Sequence, residues 1–237
     1  MAKSRHVEIT SVTGLLRVLS QRRYAEEMML FRGQTQNWPL IPSIGRHRIV
    51  WESWHDFHDD LINEFLRVGH PFFLTPQINN ADTWVIAQHH GMPTRLLGAS
   101  TNPLKALFFA VNNTAHDGQD GIFCIFVMNQ WREDLDHEYR KYWDSNLCAF
   151  FPRQLTARLT AQEGAFLCYP LPRDRNRLTP IEKLPEERIS VRRIVVPAEA
   201  KPKLRRELAT LGIQYRLLFP DLDGVARSIK LNELGAN

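Results

Sequence analysis

Arg32 stands in the run Leu30-Phe31-Arg32-Gly33-Gln34, where a short apolar stretch gives way to a guanidinium and then a glycine. At the end of a strand an arginine can make bidentate hydrogen bonds to a phosphate or hold a ribose, and the glycine lets another backbone or a ligand approach closely. The same arginine would also serve in an ion pair with a helix carboxylate. Gln34 is a further candidate for contact with a bound ligand. A second constellation runs Gln88-His89-His90-Gly91-Met92-Pro93-Thr94-Arg95-Leu96-Leu97 and on through Ser100-Thr101-Asn102-Pro103. It sets His89, His90, Thr94, Arg95 and Ser100 beside Gly and Pro punctuation, which is much polar function for a segment flanked by apolar runs. These five are candidate substrate-binding residues, with one histidine as a buried hydrogen-bonding group as the alternative. Adjacent histidines point in different directions on a helix, and no Cys or carboxylate accompanies them at ligand spacing, so no metal is expected. His89, His90 and Lys105 could serve proton transfer or phosphate binding in a nuclease, but paired acids at metal spacing are missing.

The elements that must position these residues follow from hydrophobic period and caps. Leu15, Leu16, Val18 and Leu19 predict a helix over 11–27 with Thr10 or Ser11 as its cap. The run Met28-Met29-Leu30-Phe31 then reads as a buried strand that ends at Arg32-Gly33. Pro39, Pro42 and Gly45 mark a stiff irregular crossing. Trp54, Phe57, Leu61, Phe65 and Leu66 recur at 3.6-residue spacing and predict a helix from Glu52 to Val68. Asp82 is a candidate cap for a helix through Trp84–Ala87, stopped by Gly91 and Pro93. A strand over Thr94–Leu97 follows, and Asn102-Pro103 opens a helix with proline at its first position. Gly121–Met128 is the strongest strand and is expected at the centre of the sheet. Arg158–Leu167 and Arg188–Val196 read as strands, and helices are expected from Glu199 to Leu211 and after Pro220. Without a regular βαβ rhythm this pattern predicts an α+β fold: one domain over 1–237 with a mixed or mostly antiparallel core sheet packed with helices.

The composition is that of an ordinary globular chain: 237 residues, 43% hydrophobic and 24% charged. No apolar run approaches the roughly 18 residues that span a bilayer, and Met1–His6 is not followed by an apolar signal segment. A cytoplasmic protein without a membrane partner is expected. Cys124, Cys148 and Cys168 are odd in number and widely spaced, which argues against a disulfide framework. The net charge of +4 is uneven, because residues 151–207 carry 13 Lys/Arg against 7 Asp/Glu. This stretch reads either as a basic face that attracts nucleic acid or another polyanion, or as a solvated surface paired with Glu186, Glu187 and Glu207.

Four segments together resemble the FRG domain family: Phe31-Arg32-Gly33-Gln34, the Gln88–Leu97 run, Asn102-Pro103-Leu104-Lys105-Ala106-Leu107-Phe108-Phe109-Ala110, and Phe219-Pro220-Asp221-Leu222-Asp223-Gly224. Their order and spacing extend over most of the chain. Family members usually carry Asp-Trp after Arg-Leu-Leu, whereas this chain has Gly98-Ala99, so a carboxylate expected beside Arg95 is missing. The family is similar, more distantly, to the ADP-ribosyltransferase fold, in which an Arg or His on the first core strand contacts NAD and a later strand carries an acid. That likeness implies Arg32 in the first role and Gln162-Glu163 in the second, with Arg32, Glu163 and Gln162 as catalytic residues and NAD as a substrate, not a cofactor. A carboxylate on the ribose hydroxyls would stabilise the oxocarbenium charge of nicotinamide release. The resemblance implies an NAD-consuming hydrolase or ADP-ribosyltransferase acting in phage defence or as a toxin, with a protein or nucleic-acid acceptor or a regulatory protein partner. The alternative is a module that binds a nucleotide, nucleic acid or protein without chemistry.

Overall fold

The structure is a computed structural model and describes residues 7–21, 28–73, 80–128, 131–132, 146–185 and 189–233. Helix α1 (Val12–Leu19) starts at Ser11, whose hydroxyl accepts the Gly14 amide, and buries Val12, Leu15 and Val18. It is shorter than its apolar pattern suggests, and residues 22–27 lie outside the described ones. Strand β1 (Met29–Gln34) continues past Arg32-Gly33, so Arg32 is inside the strand and not at its end. Helix α2 (Trp54–Gly69) is capped by Ser53 and buries Trp54, Phe57 and Ile62. Helix α3 (Asn80–His89) is closed by Gly91 at φ +88°, a left-handed position that glycine takes without strain. Asp82 is not its cap. It lies buried inside the first turn and pairs with Arg153.

Strand β2 (Leu96–Ser100) starts two residues later than expected, because Thr94 uses its backbone amide on the Ser43 hydroxyl and its own hydroxyl on Gln88. Helix α4 (Pro103–Val111) has Asn102 as its cap, accepting from the Leu104 and Lys105 amides. Then come β3 (Gly121–Val127), β4 (Trp131–Arg132) and β5 (Cys148–Phe150). The predicted strand over 158–167 is instead a short helix, α5 (Ala157–Ala161), followed by β6 (Gly164–Cys168). Thr156 decides this, since its hydroxyl accepts the Leu159 amide and starts a helical turn where period-2 reading sees a strand. Strand β7 (Ser190–Val196) leads to α6 (Lys201–Thr210), α7 (Tyr215–Leu218) and α8 (Leu222–Glu233).

The seven strands lie in the order β4-β5-β6-β2-β1-β3-β7, with β4 parallel to β5 and every other neighbouring pair antiparallel. The α+β expectation holds. The central strand, however, is β2, and β3 lies next to the β7 edge, buried because helices and the irregular crossing cover both its faces. Phe31 and Ser100 are direct partners and therefore share a face. On that face one cluster packs Phe31, Phe123 and Ile125 under α1, α4 and α6, and another packs Leu96, Phe150 and Phe166 under α3 and α5. The opposite face holds Leu30, Leu97, Cys124 and Phe126 under the Leu40–Ile44 crossing and the start of α2.

Candidate functional site: an arginine-lined pocket in a split sheet

Strands β1 and β2 are partners only at Phe31 and Ser100, whereas β1 pairs along its whole length with β3 and β2 along its whole length with β6. Beyond Phe31 on β1, which is before Ser100 on the antiparallel β2, no further pair forms, and the sheet is split. By strand alternation Arg32 faces the side of Leu30, and its guanidinium lies in the gap, where Nη1 donates to the Gly98 carbonyl at 2.6 Å and Nε to Gln34 Oε1 at 3.2 Å. Gln34 is itself fixed, because its Nε2 donates to the Trp38 carbonyl at 2.9 Å.

Over this gap lies a pocket of about 460 Å³. Ala106 and Phe109 of α4, with Asn112 just past its end, form one wall, and Val85, Gln88 and His89 of α3 form another with Thr156, Arg158 and Leu159 around the start of α5. Trp38, Arg46 and His116 line the end where β1 runs out, and Arg227 of α8 completes the lining. That end is held by the fully buried Lys201, whose ammonium donates to the carbonyls of Thr35 at 2.8 Å and His116 at 2.7 Å. His116 Nδ1 lies 2.8 Å from the Thr35 hydroxyl and 3.2 Å from the Asn113 amide nitrogen.

The lining carries four arginines, Arg32, Arg46, Arg158 and Arg227, and no carboxylate among the described residues. None of the four forms an ion pair with a described carboxylate. Burial, with Arg46 adding repulsion, lowers Arg32 to about 10, so it is still a cation at neutral pH. Cys124, its partner across β3, is no counter-charge, because burial pushes that thiol up to about 12. Arg158 lies over the Phe219 ring at 4.4 Å and Arg227 over Tyr215 at 4.8 Å. Half-buried His89 is held below its ordinary value first by burial and then by the charge of Arg158, so it is neutral near pH 7.

The residues singled out from sequence divide. Arg32, Gln34, His89, Ser100 and Gln162 converge on the pocket. His90 stacks edge-on against His89 but is exposed outside the lining. Thr94 is buried in the turn before β2, and Arg95 is in the core, with Nε on the Tyr169 carbonyl at 2.8 Å and its guanidinium over Trp84. Glu163 does not line the pocket. It occupies a left-handed position (φ 46°) just after α5, where its carboxylate pairs with Lys105 at 2.7 Å and accepts from Asn102 Nδ2 at 3.2 Å. Lys105 holds its carboxyl below the usual range. Ser100 has a structural part too, donating to the Gln162 carbonyl and accepting the Asn102 amide.

Sequence reasoning overlooked Arg46, Arg158, Arg227 and His116 as lining residues. Only Arg158 had a signal, its place in the basic stretch 151–207. Five of the thirteen cations of that stretch are paired with acids among the described residues: Arg153 with Asp82, Arg175 with Glu52, Arg193 with Glu182, Lys203 with Glu207 and Arg205 with Asp117. Glu186 and Glu187 lie outside the described residues.

Among the described residues no helix is long and apolar enough to cross a membrane. No curated protein sequence and no solved structure matches the chain. The family model of the FRG domain does match, over a span that contains β1, the split with β2, and the capped start of α4. The match covers residues 27–119, so that stretch of the chain is similar to an FRG domain.

Proposed function

We propose that the pocket binds the phosphate-bearing part of a nucleotide, with Arg32 as its central anion contact. The observation that carries this reading is a lining of four arginines with no described carboxylate. Such a group of like charges repels itself when empty and is offset by a bound anion. The volume lies within the range of about 300–1,000 Å³ usual for small-molecule sites. The NAD-cleaving reading needs a carboxylate against the developing oxocarbenium charge. Glu163, the residue implied for that role, is bound by Lys105 outside the lining, so the geometry favours nucleotide binding without Glu163-assisted cleavage.

Calorimetric titration with ADP-ribose and NAD at low salt tests this. Losing a charge-assisted contact costs about 1.5–3 kcal/mol, so Arg32→Ala should weaken binding roughly ten- to hundredfold. Glu163→Gln should leave it within about twofold. A flat titration of the wild-type protein would overturn the proposal. On incubation with NAD, nicotinamide should appear no faster than in the Arg32→Ala control. Release that both Arg32→Ala and Glu163→Gln abolish would establish the NAD-consuming reading instead. A role as toxin or phage-defence effector rests on the family resemblance alone and requires growth arrest on induced expression, relieved by Arg32→Ala.

A further inference from the structure

The arginines of the pocket fall into two groups that come from different parts of the fold. Arg32 on β1 and Arg46 on the irregular crossing form the first, close enough for each charge to act on the other. Arg158 on α5 and Arg227 on α8 form the second, with His89 of α3 beside Arg158. The second group lies, apart from His89, outside residues 27–119.

This second group is built. Tyr215 and Phe219 stack at 4.4 Å with their planes 14° apart, and each carries one guanidinium, Arg227 over Tyr215 and Arg158 over Phe219. Stacking of that kind holds the guanidinium plane and leaves its N–H edge available for an anion. Phe109 packs edge-on against Phe219 and so ties the pair to α4. The charge of Asp221 acts on both Arg158 and His89, but it is not in ion-pair contact with either, and its Oδ1 accepts the Gly224 amide at 2.7 Å at the start of α8.

The groups reach the pocket from opposite sides of β2: Arg32 comes from β1 and extends to the Gly98 carbonyl, whereas Arg158 is on the helix that leads into β6, the neighbour of β2 on its other side. Between them the floor is uncharged: Gly98, with the Gln88 amide and the Phe166 ring around it. One phosphate bound at Arg32 would leave Arg158 and Arg227 without an anion in ion-pair contact among the described residues, since Asp221 acts on Arg158 only from a distance.

We infer that the pocket has two anion subsites and takes a nucleoside bisphosphate, a ligand whose two phosphates are held apart by an uncharged, ring-containing body. The inference rests on the proposal that Arg32 binds phosphate and adds the second subsite at Arg158 and Arg227.

The test compares adenosine 3′,5′-bisphosphate with AMP by calorimetry on the whole chain. The bisphosphate should bind at least about tenfold more tightly, one charge-assisted contact's worth. In the Arg158→Gln/Arg227→Gln double variant that advantage should fall to about threefold or less, and Arg158→Lys/Arg227→Lys should restore part of it. Equal affinity of the two ligands for the wild-type protein overturns the two-subsite inference, as does a double variant that keeps the full advantage. In both cases the reading of Arg32 stands if Arg32→Gln weakens both ligands. If Arg32→Gln weakens neither, the proposed function itself falls.

Discussion

Position 98 decides whether Arg32 has a counter-charge inside the protein. A Cβ built on Gly98 would meet only ordinary contacts, with Gln88 Nε2 at 3.6 Å, Phe166 Cε1 at 3.8 Å and Arg32 Nη1 at 3.9 Å. An aspartate there would bring its carboxylate to the guanidinium and close the anion site from within. Gly98→Asp should therefore lower nucleotide affinity at least about tenfold by calorimetry, with Gly98→Ala within about threefold of wild type, because the methyl adds no charge. Equal affinities for the two variants would show that Arg32 is not the anion contact. The missing acid was expected beside Arg95, its near neighbour in sequence. The fold puts Arg95 into the core against Trp84 and sets Gly98 against Arg32 instead, because the contact is made across the split between two strands and not along one of them.

The family segments around Arg32 act largely as element starts and contacts. Asn102 caps α4, Asp221 caps α8, and Gly33 sets the distance between β1 and α4. A Cβ on Gly33 would collide with the Ala106 carbonyl and come within 2.5 Å of the Ala110 amide, so the close approach this glycine allows is that of a helix backbone. Backbone atoms cannot move aside as a side-chain tip can. Gly33→Ala should cost about 3 kcal/mol or more, at the upper end of overpacking penalties, and lower the urea midpoint accordingly. A variant as stable as wild type would mean that α4 is free to shift. Long periodic elements with caps, α2 and α4, were legible from sequence. The five-residue α5 was not, because its only signal is the Thr156 cap, and β5, with three residues, is too short to show a period.

At the scale of the whole molecule, pH acts through a residue outside the pocket lining. His58 of α2 is 1% exposed, packs edge-on against Trp84 of α3 at 5.1 Å, and its Nε2 has no hydrogen-bond partner among the described residues. Burial lowers it to about 4, opposed by Asp59 and helped by Arg95 and His55. The unfolded chain takes up this proton near 6.5 and the folded chain near 4, so between those values the unfolded state binds more protons and stability falls as pH falls. The loss between pH 7 and pH 5 should be on the order of 2 kcal/mol. Urea titrations at the two pH values measure it, and His58→Leu, which removes the buried base, should flatten the difference. An unchanged pH slope in that variant would assign the effect to other groups.

Some properties were set by the sequence itself. Hydrophobic period and cap residues act over one or two turns, so the α+β class, the major helices, the β3 strand and the FRG segments are local features that can be read along the chain. Arg32 was identifiable as a residue of interest for the same reason. The tertiary structure decided which residues join it. Arg46, Arg158 and Arg227 are separated from it by up to most of the chain's length and reach the same pocket only because β1 and β2 part after a single pairing and α3, α4, α5 and α8 close over the gap. Glu163, one residue after pocket-lining Gln162, turns away to Lys105 because the left-handed turn after α5 points it there. Such choices depend on strand pairing and turn geometry between distant segments, and no spacing along the sequence carries them.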